Sequence, residues 1–240
     1  MVAVHTARKF TSLVPHCIYD GGDNDFTEWL SKHDVHIIRH RSFLREPLAE
    51  LGRRKGNPHL AAALAGAFSR VELPDLVSPS VGRVLYTDCD VVFVAEVVSE
   101  LEANPCEYFA VAPEGAQDDY VNMNTGVMLM NIDRLRESLP KFRKYIWQNL
   151  AALESESWDE AAYRWFYRDP NGPLWDRLRP ELNWKTYWGE CAQAKIIHFH
   201  GPKPYQRSCL DSRFPELKYL ANASYYQLCE QWTRLLAEVQ

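Results

Sequence analysis

Short apolar runs alternate with longer helical stretches along this chain, and that alternation is what most restricts its fold. Residues 35–38, 84–86, 91–94, 108–111, 127–130 and 196–199 are short and rich in Val, Ile, Leu and aromatic side chains, the signature of buried strands. Between them the pattern turns helical. Asn57 and Pro58 read as a cap and a first helical position. The Ala-rich run 60–71 continues that helix, because Ala is the best helix former, and Pro74 with Ser78-Pro79 closes it. Residues 133–153 are helical in pattern, with Pro140 predicted to open a second helix, and residues 215–239 read as a terminal amphipathic helix. Strands separated by helices predict an α/β fold with a mostly parallel central sheet, in which ligands bind beyond the carboxyl ends of strands.

The length of 240 residues suits one α/β domain or two small ones. A net charge of -5 lacks the basic face that broad nucleic-acid binding needs, yet leaves room for a small anion held by local cations. No stretch is long and apolar enough for an integral membrane segment. The opening residues lack the apolar core and cleavage site of a secretory signal. Cysteines at positions 17, 89, 106, 191, 209 and 229 form no C-x-x-C pair and read as reduced thiols, so the expectation is a cytoplasmic protein.

The chemistry concentrates where apolar runs end. Residues 84–86 lead into Thr87-Asp88-Cys89-Asp90. In extended chain, Asp88 and Asp90 point the same way and Cys89 the other, into the fold. Two carboxylates so close repel unless a cation joins them, and Mg2+ or Mn2+ is the natural partner of oxygen ligands. A strand end capped by Asp side chains is the plainer reading of the same residues. Residues 196–205 end the last apolar run in His198-Phe199-His200-Gly201-Pro202-Lys203. Either histidine can supply a nitrogen ligand. Gly201 lets backbone approach a phosphate, and Lys203 can neutralise charge on a departing diphosphate. Asn124, Thr125 and Gly126 precede the run at 127–130 and offer donors and acceptors suited to sugar hydroxyls, or else a simple turn. Asp159 and Glu160 follow Trp158 and read locally as the first turn of a helix.

Together these segments resemble glycosyltransferase family 8 over most of the chain. The resemblance rests on Phe68-Ser69-Arg70 before Pro74, the strand ending in Asp88-Cys89-Asp90, Asn124-Thr125-Gly126, Asp159-Glu160, the segment from Leu178 to Asn183, and His198, Gly201, Lys203, Pro204 and Tyr205. It selects His198 over His200. It implies a single domain over residues 1–240 with the GT-A (Rossmann-like) fold, which transfers a hexose with retention, commonly from UDP-glucose or UDP-galactose. Asp88, Asp90 and His198 would hold Mn2+ (or Mg2+). Arg70, Thr87, Cys89, Asn124, Thr125, Gly126, Gly201 and Lys203 would line the nucleotide-sugar donor. Asp159 and Glu160 would be catalytic, and Asn183 and Trp184 would face a saccharide, lipid-linked or small-molecule acceptor.

The chain departs from the family's pattern in two places. Glu160 stands where the family has glutamine, and a carboxylate there can act as a nucleophile in double displacement. The family's fold also opens on a strand that contacts the base. Residues 2–9 read instead as the helix after it and residues 16–20 as the second strand, so the first strand is expected to be missing or rebuilt. Three other classes share parts of the pattern: a metal-dependent phosphohydrolase with Asp-x-Asp after a strand, an α/β nucleotidyltransferase with metal-binding Asp, though the Gly-rich basic loop that usually opens one is absent from the sequence, and a binding protein that keeps the fold without catalysis.

Overall fold

A computed structural model describes residues 1–239, with residues 58–61 described as backbone alone. The chain opens with helix α1 (Val2–Phe10), which buries Val2, Thr6 and Ala7. Strand β1 (His16–Tyr19) and strand β2 (His36–Arg39) pair in parallel around helix α2 (Asp25–Lys32), whose start is fixed by a capping box between Asn24 and Thr27. The opening helix and the strand at 16–19 follow the sequence reading. Among the described residues the β1–β2 pair is hydrogen-bonded to neither of the larger sheets.

Helices α3 (Arg45–Arg54) and α4 (Pro58–Leu76) come next. Pro58 takes the first position of α4, where its missing N–H has no partner to lose. Pro74 lies inside the helix, which ends at Leu76, just past it. Strand β3 (Arg83–Thr87), strand β4 (Val91–Phe93), helix α5 (Val98–Ala103), strand β5 (Phe109–Pro113) and strand β6 (Met123–Asn131) follow. Strand β6 is buried from Met123 to Met130 and is the centre of a sheet ordered β3, β6, β5 and, at the far edge, a short strand described below.

That sheet corrects the expectation of mostly parallel strands. β6 runs antiparallel to both β3 and β5. The reason is the connection: β5 returns to β6 through a loop closed by Glu114 N–H donating to the Asn122 carbonyl at 2.8 Å, and such a loop reverses the chain, whereas parallel neighbours need a crossover. β3 is also half exposed rather than buried, since it pairs on one edge only.

Helix α6 (Ile132–Glu154) runs straight through Pro140. A proline inside a helix costs about 3 kcal/mol, yet Leu135, Leu139, Phe142 and Ile146 all bury one face of this helix, and that packing carries the helix across it. The predicted break at Pro140 therefore does not occur. Helix α7 (Asp159–Phe166) leads to a small hairpin of β7 (Arg168–Asp169) and β8 (Gly172–Pro173), then to β9 (Asp176–Arg177), which pairs in parallel with β5. Strands β10 (Trp184–Lys185) and β11 (Ile196–His198) pair in parallel, and β11 pairs antiparallel with β4. Helix α1 ties into this second sheet, where Phe93 N–H donates to Thr6 Oγ1 at 3.1 Å. The chain closes with α8 (Leu210–Arg213), a 3-10 turn (Pro215–Leu220) and α9 (Ala223–Ala237). The predicted terminal helix thus begins later than residue 215, where Asn222 caps the Tyr225 N–H.

Between the four-stranded sheet and helices α6 and α7, Phe142 packs edge-on against Tyr163 and Tyr167, with ring centroids 4.8 Å and 5.1 Å away. Phe142→Ala is expected to lower unfolding free energy by about 3–5 kcal/mol, measured by urea denaturation, because a ring buried on all sides leaves a cavity.

Candidate active site

Two sheets bring the site together. β3 ends at Thr87, and the chain turns through Asp88-Cys89-Asp90 into β4. β11 lies against β4 with His198 opposite Val91, and Phe199 N–H donates to the Asp90 carbonyl at 3.0 Å. That register delivers His198 to the two aspartates. Asp88, Asp90 and His198 each offer one ligand atom, all within 4.8 Å of one another.

The hydrogen bonds around His198 fix which nitrogen is free. Asn183 Oδ1 only accepts, so His198 Nδ1, 2.9 Å away, carries the hydrogen. A neutral His198 therefore turns the lone pair of Nε2 toward Asp90 Oδ1, 3.4 Å away. Asp90 Oδ1 is buried and has no hydrogen-bond partner. A carboxylate oxygen and an imidazole lone pair facing one another, with a second carboxylate alongside, fit a divalent cation, and the Asn183 oxygen on the far nitrogen fixes the ring's orientation as an accepting group there does in metal sites. Burial pushes the Asp90 carboxyl up, but His198, in its protonated form donating to Asp90, and the Lys203 ammonium more than offset it and hold it well below the ordinary carboxylate range.

Arg70, on α4, is the cation behind the site. Its Nη2 lies 2.8 Å from Asp88 Oδ1, its Nε 3.4 Å from Asp159 Oδ2, and its Nη1 donates to the Thr125 carbonyl. Its guanidinium also lies 4.6 Å from the centre of the Tyr86 ring, whose hydroxyl donates to Asp88 Oδ1 at 3.0 Å. Burial works against the charge, and Asp159, Tyr86 and Asp88 together raise the arginine's proton affinity all the same.

Asn124, Thr125 and Gly126 lie within β6 rather than in a turn before it. Asp88 N–H donates to the Gly126 carbonyl at 2.8 Å. A Cβ on Gly126 would stand 2.1 Å from His198 Cε1, so the imidazole occupies the space that only glycine leaves. Asp159 and Glu160 form the first turn of α7 directly below. Thr125 Oγ1 donates to Asp159 Oδ2 at 3.0 Å. Asn124 Nδ2 and Thr125 N–H both donate to Glu160 Oε1, at 2.8 and 3.2 Å. Burial raises the Asp159 carboxyl above its ordinary value in spite of Arg70. Burial, with Glu114 and Asp159 adding to it, pushes Glu160 up to about 8, so it is mostly protonated at neutral pH.

Lys203 Nζ donates to Asp90 and to the Phe199 carbonyl, and Gly201 before it has φ +90, a left-handed conformation that favours glycine. Thr87 pairs with Val127 at the end of β3. Three expectations change. Cys89 is exposed, because the chain leaves β3 in a turn whose outer side is solvent. Asn183 does not face an open acceptor wall: it is fully buried between Asn124 Oδ1 and His198, so it supports the site from beneath. Trp184 is buried too, with its indole N–H on the Gly189 carbonyl at 2.8 Å. Sequence reasoning missed Tyr86 and Lys185. Lys185 is fully buried, with Nζ 3.1 Å from the Asn183 carbonyl and 4.8 Å from the Trp188 ring, and burial pulls its ammonium well below the ordinary lysine range. Its place opposite His198 in the β10–β11 pairing is the only signal, and it exists only once the strands are paired.

No protein-family model matches the chain, and no curated protein matches it. Solved structures do. The glycosyltransferase GlyE of Streptococcus pneumoniae TIGR4 matches with a TM-score of 0.63 at 15% identity, covering 97% of this chain and 60% of GlyE. This chain therefore spans about three fifths of that protein. The galactosyltransferase LgtC, solved with donor and acceptor sugar analogues, matches with a TM-score of 0.57 at 16% identity, covering 91% of this chain and 87% of LgtC. Mouse xyloside xylosyltransferase 1 matches with a TM-score of 0.55 at 14% identity, over 82% of this chain and 89% of that one. The fold is GT-A. In this GT-A chain the Asp88-Asp90-His198 group lies where β3, β6 and β11 end or pass, the kind of place where α/β sheets bind ligands.

Two measurements probe this geometry. Gly126→Ala is expected to destabilise the protein by about 1–3 kcal/mol through overpacking, and by clearly less in a His198→Ala background, since the ring that meets the new methyl is gone. Additive effects in denaturant titrations would contradict the contact. Glu160 ionises near its ordinary value of 4.5 when unfolded and near about 8 when folded. The unfolded chain thus gives up a proton that the fold keeps, and Glu160's contribution is fully present below pH 4.5 and lost as pH rises through 8. Glu160→Gln should remove that loss, so the stability of the variant relative to the wild type should grow by up to about 1.4 kcal/mol per pH unit across the window. Melting temperatures of both proteins in chelator, from pH 5 to about 8, read it out.

Proposed function

We propose that this protein is a retaining glycosyltransferase that takes a hexose from a UDP-sugar donor. The observation that carries the reading is Asp90 Oδ1, a buried and unpartnered carboxylate oxygen facing Asp88 and His198 on a GT-A fold. Two carboxylates and an imidazole nitrogen suit Mn2+ or Mg2+. Such an ion, when bound, supplies positive charge to the diphosphate of a donor.

The chain's own residues have complementary tasks. Lys203, already at Asp90, stands ready to neutralise the negative charge that grows on a leaving nucleoside diphosphate. Arg70 holds Asp88 and Asp159 in place. Gly126 and Gly201 keep side chains out of the way of His198 and of the turn before Lys203. Asp159, ordered by Thr125 and Arg70, is the carboxylate best placed to touch donor-sugar hydroxyls. Glu160 stays protonated near pH 7 and so presents a neutral carboxyl, as a glutamine would present a neutral amide. A protonated carboxyl is a poor nucleophile, so its role is to order Asn124 and Thr125 rather than to attack the sugar. GlyE, LgtC and the mouse xylosyltransferase support a sugar-transfer reading through shared fold alone.

Incubation with a panel of UDP-sugars tests the proposal, with free UDP as the readout. Release should require Mn2+ or Mg2+, stop with chelator, and fall by about a hundredfold or more in Asp88→Ala. Release that persists in chelator and in Asp88→Ala, or none from any UDP-sugar in folded protein, would overturn it.

A further inference from the structure

Helix α6 buries Leu135, Leu139, Phe142, Ile146 and Leu153 along one side. Its other side carries Pro140, Lys141, Lys144, Trp147, Gln148 and Ala151, all exposed. Pro140, Lys144, Trp147 and Ala151 follow one another at spacings of three or four residues, so they form one stripe along the helix. By helical rise the stripe is about 16 Å long. Trp147 is 58% exposed, and among the described residues no other ring stacks on it. A large apolar ring held in water forgoes the burial that normally makes it stabilising.

The charge of this side is of one sign. Residues 138–153 include Lys141, Arg143 and Lys144 and no Asp or Glu, in a chain whose net charge is -5. The arginines of α6 are spoken for: Arg134, Arg136 and Arg143 pair with Glu137, Asp133 and Asp75. Lys141 and Lys144 pair with no carboxylate among the described residues, and both stand exposed. Lys55 forms an ion pair with Glu154, which lies seven residues past Trp147 and so on the same side of the helix. That pair brings the exposed run Arg53-Arg54-Lys55 to the C-terminal end of the stripe and extends its positive charge.

These features select the occupant. No residue of α6 lines the opening beside α1 or the one beside Glu114, so the stripe is a ridge and not a cleft. Small ligands take concave sites, whereas a lipid surface is broad and receives a ridge. An indole joins an apolar body to a polar N–H, which suits the boundary between headgroups and acyl chains. Lysine stems lie along apolar surface while their ammonium groups reach outward to phosphate oxygens. Cations clustered beside such a ring are drawn to the negative potential of anionic lipid.

We propose that the outer stripe of α6 is a docking surface for an anionic lipid membrane. Trp147 enters among the headgroups, and Lys141 and Lys144 meet lipid phosphates, with Arg54 adding charge at the end of the stripe. This contact is independent of any sugar transfer and stands whether or not the protein uses a UDP-sugar.

Co-sedimentation of the full chain with vesicles tests it, using phosphatidylcholine alone and an equal mixture of phosphatidylcholine and phosphatidylglycerol. Binding should occur to the mixed vesicles only and should fade in concentrated salt, which screens exposed charges. Lys141→Gln together with Lys144→Gln should weaken it about twentyfold, about fivefold for each lysine, while Lys141→Arg with Lys144→Arg should keep it. Trp147→Ala should weaken it about tenfold. Lys32→Gln, at an exposed lysine on α2, should leave it unchanged. No binding to the mixed vesicles, equal binding to phosphatidylcholine alone, or a loss in Lys32→Gln as large as at α6 would overturn the proposal. Retention on duplex DNA as strong as on the mixed vesicles, lost in the same variants, would mark a general polyanion surface and overturn it too. A dimer that Trp147→Ala disrupts in analytical ultracentrifugation, without vesicle binding, would assign the stripe to a second copy instead.

Discussion

The guanidinium of Arg70 is the charge around which the middle of this protein is organised. A buried charge is tolerated only when its hydrogens find partners and an opposite charge stands close. Here the partners come from three elements: Asp88 after β3, the Thr125 carbonyl in β6 and Asp159 at the start of α7. With Arg70 on α4, a single side chain fixes the positions of four segments relative to one another. Removing it would leave the buried Asp159 carboxylate and the partly exposed Asp88 carboxylate without the cation between them, so the fold and the candidate site are held by the same interaction.

A second constraint is steric and lies on the opposite side of the same strand. β6 carries Asn124 and Gly126 with the same facing, two residues apart. Asn124 reaches Glu160 and Asn183, while Gly126 yields its side-chain space to the His198 ring. Asn183 then joins the two by holding both Asn124 and His198. The outcome is a continuous polar chain from Glu160 through Asn124 and Asn183 to His198. Such a network orients the imidazole through protein groups alone, so the geometry of the donor set is fixed by the fold.

The sequence makes the components of this arrangement legible more readily than their supports. The strand run into Asp88 and Asp90 can be read directly, because apolar residues end abruptly at paired carboxylates. The apolar run into His198 can be read the same way, and the α/β alternation stands as well. The direction of the strands was not legible, since the loop from Glu114 to Asn122 carries no Asn-Gly or Asp-Gly pair to announce a reversal. The continuity of α6 through Pro140 was hidden because the local rule for proline is overridden only by packing of Leu139 and Phe142, which needs the tertiary structure. Asn183 and Lys185 were hidden for a similar reason: what they do depends on β10 lying beside β11, a pairing between segments that nothing local specifies.

The position of Glu160 shows how environment can change what a residue type means. A glutamate in a reacting cleft reads in sequence as a charge and as a nucleophile. In the fold its Oε1 accepts from Asn124 and Thr125, donors that would ordinarily favour an ionised carboxylate. Burial, with Glu114 and Asp159 close by, outweighs them and keeps the proton on. Nearby Asp90 is the counter-example, a carboxyl also opposed by burial but held ionised by a protonated His198 and by Lys203. The two acids differ in the sign of what surrounds them and not in their own chemistry. That contrast separates a carboxylate suited to a cation from a neutral carboxyl suited to ordering hydrogen-bond donors, and divergent carboxyl environments of this kind mark a site built for chemistry more than one built for stability alone.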